Sequence, residues 1–127
     1  MPGLHNNLGK ARSALGHPEQ ALASYQQALR LQPDFIVAQR NLARTLKELA
    51  RPREAIAAFR RLLQIEPDKA EHQLDLALAL LQIGAAGEAE QWLDKLPANL
   101  ATDDRAIKAR AKLGFAALLK DAPPAEV

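Results

Sequence analysis

A repeat with a period of about 34 residues runs through most of this chain and limits its fold more tightly than any other feature. Leu8, Ala21, Tyr25, Ala28 and Pro33 return one period later as Leu42, Ala55, Phe59, Leu62 and Pro67, all at the same step. A third copy keeps the step with Leu76, Ala89, Leu93 and Leu96, and Gly84 stands two periods after Gly16. Fixed periods in this range mark units that cannot bury an apolar face alone and must stack on their neighbours.

Each copy reads as two helices packed against each other. Leu8, Ala11 and Leu15 fall at helical spacing, so the first helix has one apolar side. Gly16-His17-Pro18 breaks it. Pro18 and Pro52 suit the first turn of a second helix, where the missing N–H has no intrahelical acceptor anyway. Ala21, Leu22, Tyr25, Ala28 and Leu29 give that second helix its apolar face. The small Ala21, Ala55 and Ala89 mark where the two axes come closest. Pro33 and Pro67 end the second helices. Asp34 and Asp68 are the expected caps of the next ones, with Asp68 and Glu71 spaced as a capping box.

Leu-Gly, then Ala, Tyr or Phe, Ala and a closing Pro form the pattern that identifies this chain as resembling the tetratricopeptide repeat family. Three copies cover about residues 2–35, 36–69 and 70–101, with a further helix over about 103–120. The resemblance implies an all-α fold, a right-handed α-solenoid of three helix pairs plus a C-terminal capping helix, in a single domain. The pattern has departures. His5, Gln39 and Gln73 stand where the family often has Trp, and Arg12 replaces a Tyr. Pro97 falls inside the third copy's second helix, and Ala101 replaces its closing Pro.

Composition agrees with a helical stack and excludes several other classes. Hydrophobic residues make up 48% of the chain and aromatics only 4%, as an Ala/Leu-rich solenoid requires and a disordered chain does not. There is no cysteine, which removes disulfides and thiolate metal sites. No apolar run approaches membrane-spanning length, and the N-terminus lacks the basic and apolar regions of a signal peptide, so a cytoplasmic location is expected. The net charge of +2 is too small to imply nucleic acid as partner. It is unevenly spread. Residues 1–67 hold ten Lys/Arg against five Asp/Glu, a net +5, and residues 68–127 hold seven against ten, a net −3.

The resemblance implies a function in binding, since the first helices of such arrays line a concave groove. Beside the core stripe these helices carry Asn6, Lys10 and Ser13, then Val37, Arg40, Asn41, Arg44 and Lys47, then Glu71, Leu74, Asp75, Leu78 and Leu81. Arg40, Arg44 and Lys47 share one helix face. The expected groove is basic and amide-rich at one end and apolar with an acidic edge at the other. It suits an extended peptide or a helix having an acidic part and an apolar part. Leu74, Leu78 and Leu81 lie opposite the core residues Leu76, Ala77, Leu80 and Ile83, so that helix should be covered on both sides, by the C-terminal helix first of all.

Chaperone-binding members of the family grip a C-terminal carboxylate with Lys, Asn, Asn, Lys and Arg. The matching positions here are Asn6, Lys10, Asn41, Glu71 and Asp75. Only Asn41 agrees, and two carboxylates would repel the ligand, so no such clamp is expected. Nor is catalysis. His5, His17 and His72 lie in different repeats without metal-ligand spacing, and Ser13 and Ser24 have no histidine near in sequence. His5 and His72, early in helices, are expected in solvent or hydrogen-bonded. No glycine-rich phosphate loop or other cofactor motif occurs. The aromatics are too scattered to interleave with the basic stripe as nucleic-acid stacking platforms do.

At the C-terminal end, Leu96 to Leu100 reads as a connection and Thr102 or Asp103 as a cap. A helix then runs to about Lys120 and is ended by Pro123-Pro124. It is either a terminal cap or the first half of a fourth repeat, Gly114 following Ala77 by one period and a three-residue insertion. Its Ile107, Ala111, Phe115 and Leu118 are expected to dock on Trp92, Leu93 and Leu96 of the same chain. Docking on a neighbour would instead give self-association. Two functional classes follow: a protein-interaction scaffold, or the non-catalytic repeat portion of a larger enzyme such as a glycosyltransferase or sulfotransferase.

Overall fold

A computed structural model describes residues 1–121. Eight helices occupy them: α1 Pro2–Ala14, α2 Pro18–Leu31, α3 Ile36–Glu48, α4 Pro52–Ile65, α5 Ala70–Gln82, α6 Ala86–Asp94, α7 Ala98–Ala101 and α8 Asp104–Asp121. They form an α-solenoid of three helix pairs, α1/α2, α3/α4 and α5/α6, followed by α7 and α8. Pro123 and Pro124 lie outside the described residues.

Turn chemistry sets the hairpins. α2 and α4 begin at Pro18 and Pro52, as the sequence predicts. Each first helix ends in the same two hydrogen bonds. In the first pair Gly16 N–H donates to Ser13 C=O and His17 N–H to Arg12 C=O; in the third, Gly84 donates to Leu81 and Ala85 to Leu80. This termination needs a left-handed residue, and Gly16 and Gly84 have φ of +80° and +81°. The second pair keeps the geometry with Ala50 at φ +54°. The expected aspartate caps do not form. α3 and α5 are preceded by Phe35 and Lys69 with no side-chain cap bond. Asp34 and Asp68 sit one residue too early, in the turn.

The small residues of the repeat lie at the closest contacts. Ala21, Ala55 and Ala89 are buried. A methyl group added to Gly9 would stand 2.5 Å from Tyr25 Cε1, so α1 can press on that ring only through glycine. Arg12, where the family places Tyr, links α1 to α2 by donating to Ser24 Oγ at 2.7 Å. One core runs through α2 to α5 around Leu46, Phe59, Leu62 and Leu76. A second joins α5, α6, α7 and α8 around Leu74, Leu93, Leu96 and Ala106.

The C-terminal end departs from expectation in three ways. α6 stops after nine residues, before Pro97, where α2 and α4 have fourteen. The expected connection contains the short helix α7, whose Leu100 enters the second core. α8 does dock within its own chain at Leu93, Leu96 and Trp92, but through another face. Ala106, Ala109 and Leu113 pack inward, whereas Ile107, Phe115 and Leu118 are 51%, 63% and 72% exposed. Arg110 ties α8 to the end of α6 by donating to Leu93 C=O at 2.7 Å and to Asp94 at 3.1 Å. Asp103 caps α8 as expected, accepting from Arg105 N–H at 2.8 Å. No helix among the described residues is long and apolar enough to cross a membrane.

Candidate partner-binding surface

α1, α3 and α5 carry the predicted surface, and the structure ties its residues together by a polar chain. Arg44 donates to Asn41 Oδ1 at 2.7 Å, and Asn41 Nδ2 donates to Asn6 Oδ1 at 2.9 Å. Asn6 and Asn41 are both buried, so the pair joins α1 to α3 and satisfies amides that would otherwise be costly to enclose. Lys10 is exposed nearby.

Arg40 and Lys47 are paired. Arg40 meets Glu66 at 2.7 Å and Lys47 meets Asp75 at 3.3 Å. Arg60 of α4 meets Glu88 of α6 at 2.8 Å. Basic side chains of the second pair thus meet acidic side chains further along the chain. Lys47–Asp75 and Arg60–Glu88 join the basic and acidic halves of the sequence, whereas Arg40–Glu66 lies within the first, and each pair is worth about 0–1 kcal/mol at the surface. Arg60 holds the Glu88 carboxyl below its usual range.

Between α3, α4 and α5 lies a recess of about 200 Å³ lined by Arg40, Arg44, Lys47, Phe59, His72 and Asp75. Its polar groups are incompletely used. His72 Nε2 is buried without a hydrogen-bond partner among the described residues, as is Oε2 of Glu66, which lies outside the lining. His72 is neither in solvent nor hydrogen-bonded at that nitrogen, contrary to expectation. Burial first, and Arg40 second, push its imidazole below the ordinary histidine range, so the ring is neutral near pH 7. Sequence reasoning passed over Phe59, Glu66 and His72 as parts of this surface. The usable signal was that His72 falls one period after Ala38, a buried inner position.

The apolar end divides. Leu74 is 0% exposed and belongs to the core under α8, so it offers no open surface. Leu78 and Leu81 are partly exposed and line a cleft of about 520 Å³ facing α8. Glu71 and Asp75 are both drawn to Arg105 of α8, at 3.2 and 4.0 Å. No group of three His, Asp or Glu among the described residues is placed to hold a metal ion.

Comparison with known proteins agrees with this architecture. Two family profiles described as tetratricopeptide repeat match residues 46–113 and 3–35. No curated protein sequence matches. Among solved structures, a tetratricopeptide repeat protein from Parabacteroides merdae is similar at TM-score 0.76 and 28% identity, over 88% of this chain and 44% of that one. This chain therefore spans less than half the length of that relative. The Sgt2 TPR domain from Aspergillus fumigatus has a TM-score of 0.77 at 17% identity, over 99% of this chain and 87% of that one. The second TPR domain of human RPAP3, solved with an HSP70 peptide, has a TM-score of 0.74 at 14% identity, over 90% and 98%. With a profile covering more than half its residues and the helix pairs in register, this chain belongs to the tetratricopeptide repeat family.

Proposed function

We propose that this protein is a non-catalytic interaction scaffold that holds a segment of a partner protein against the inner faces of α1, α3 and α5. Tetratricopeptide repeats generally serve as protein-interaction modules, and the RPAP3 domain of like fold holds a peptide. The observation that carries the reading is the recess between α3 and α5. There Arg40, Arg44 and Lys47 border an aromatic floor, and the lining His72 leaves Nε2 without a partner. An extended segment brings C=O and carboxylate groups that meet these cations and apolar groups that meet the ring. Glu71 and Asp75 argue against a C-terminal carboxylate as the anchor and for an internal segment. Lys10, Asn6 and Asn41 extend the surface toward α1.

Affinity capture from the source cells, followed by mass spectrometry, tests the reading when run beside Arg40→Glu with Arg44→Glu. The double variant should lose the captured partner. Its thermal midpoint is measured beside capture, because the change removes the Arg40–Glu66 ion pair and the Arg44 donor to buried Asn41. Capture unchanged by the double variant would remove these residues from the site.

A further inference from the structure

The cleft between α5 and α8 has features that the recess lacks. Its walls are Leu78 and Leu81 of α5, Ala86 of α6, and Ala109 and Leu113 of α8. It is open because α8 fills its seat poorly. On this side the apolar residues of α8 are only the small Ala109 and Ala116 beside Leu113. At about 520 Å³ the cleft is in the range of ligand-binding recesses.

Three cations border it: Arg105, Lys108 and Lys112. Arg105 is committed to Asp103 and Glu71. Lys108 and Lys112 make no ion pair among the described residues. At the preceding seam two α3 cations meet carboxylates, Lys47 on Asp75 and Arg40 on Glu66, and Glu71 and Asp75 of α5 also approach Arg105. Here α5 turns Leu78, Leu81 and Gln82 to the cleft instead. Two lysines therefore border an apolar wall with no counter-charge.

We propose that the cleft between α5 and α8 binds an acidic amphipathic peptide segment of a partner protein. Its apolar side chains lie on Leu78, Leu81 and Leu113, and its carboxylates reach Lys108 and Lys112. The inference rests on the scaffold reading above and adds a second contact point with its own chemistry. A second copy of this chain is the poorer occupant. The exposed leucines of α1, Leu4, Leu8 and Leu15, are on a helix that carries Lys10 and Arg12 and no acid, so its approach brings like charges together.

The test is an amide chemical-shift titration of the full chain with a capped peptide of two leucines followed by two glutamates. The expected result is shifts at Leu78, Leu81 and Leu113. Affinity should fall about tenfold for the peptide with glutamines in place of glutamates, and about tenfold for Lys108→Glu with Lys112→Glu. Ala116→Trp, which fills the cleft from an exposed position, should abolish the shifts. Should a variant fail to fold, the glutamate and glutamine peptides on the unaltered chain still decide. Shifts confined to Arg40, Arg44 and His72 would overturn this inference and leave the scaffold reading standing. Shifts nowhere would overturn the cleft, and loss of partner capture by the groove variant would remain the separate test of the scaffold. Cleft shifts with decanoate but not with the peptide, or α8 signals that move with protein concentration alone, would also overturn it.

Discussion

Ala50 is the most informative single position for stability. It occupies the left-handed turn that Gly16 and Gly84 occupy one period before and after, with φ +54°. A left-handed conformation costs a residue bearing a Cβ about 1–2 kcal/mol. Glycine removes that cost but gives the unfolded chain more freedom, worth about 0.4–1 kcal/mol against folding. Ala50 is exposed, so no packing is lost with its methyl group. The hydrogen bonds from Ala50 N–H to Lys47 C=O and from Arg51 N–H to Leu46 C=O remain available. Ala50→Gly should therefore stabilise the fold by about 0.5–1 kcal/mol. For a chain of this size that is about 2–4 °C in thermal midpoint. In urea, with a slope of about 2 kcal/mol/M, the midpoint should rise by about 0.3–0.5 M. Gly16→Ala and Gly84→Ala make the opposite change at the same register and should destabilise by a similar amount. Urea denaturation of the four chains side by side is the assay. An Ala50→Gly chain no more stable than its parent, or a Gly16→Ala chain equally stable, would refute the argument that the turn conformation governs these positions.

Other outcomes can be checked on the same material. Ala55→Leu should cost about 1–3 kcal/mol by overpacking a buried helix contact, whereas exposed Ala57 should tolerate leucine; equal urea midpoints would contradict the assigned faces. His72 is depressed in the fold, so the unfolded chain binds a proton more readily. Stability from this group is full above its unfolded value of about 6.5 and is lost as the pH falls through the lower folded value. His72→Gln should flatten the loss of urea midpoint between about pH 7 and about pH 5, and an unchanged slope would exclude His72 as its source. A chain ending at Ala101 removes α8 from Leu74, Ala77 and Leu93. It should melt lower and associate by light scattering, because buried leucines are worth about 1.5–3 kcal/mol each. A truncated chain equally stable and monodisperse would show that α8 covers nothing of consequence.

The repeat period was enough to determine the helix pairs, the α-solenoid and most of the core. Ala21, Ala55, Ala89, Tyr25 and Phe59 all lie where the repeat puts them, because close helix contact admits only certain volumes at certain turns. That Arg40 and Arg44 share one helix face was legible for the same reason, helix faces being a matter of spacing. Their partners were not. Whether Arg40 faces solvent or Glu66, and whether Lys47 finds Asp75, depends on how one pair rotates on the next, and no local pattern records that rotation. α8 shows the limit most clearly. Spacing pointed to a face with Ile107, Ala111, Phe115 and Leu118; the opposite choice carries Ala106, Ala109 and Leu113. Hydrophobicity favours the first, yet the fold uses the second. Large side chains gain more on burial, but the second face places Arg110 at the carbonyl end of α6. Which face docks is a property of two surfaces meeting, and it is settled only when both are in place.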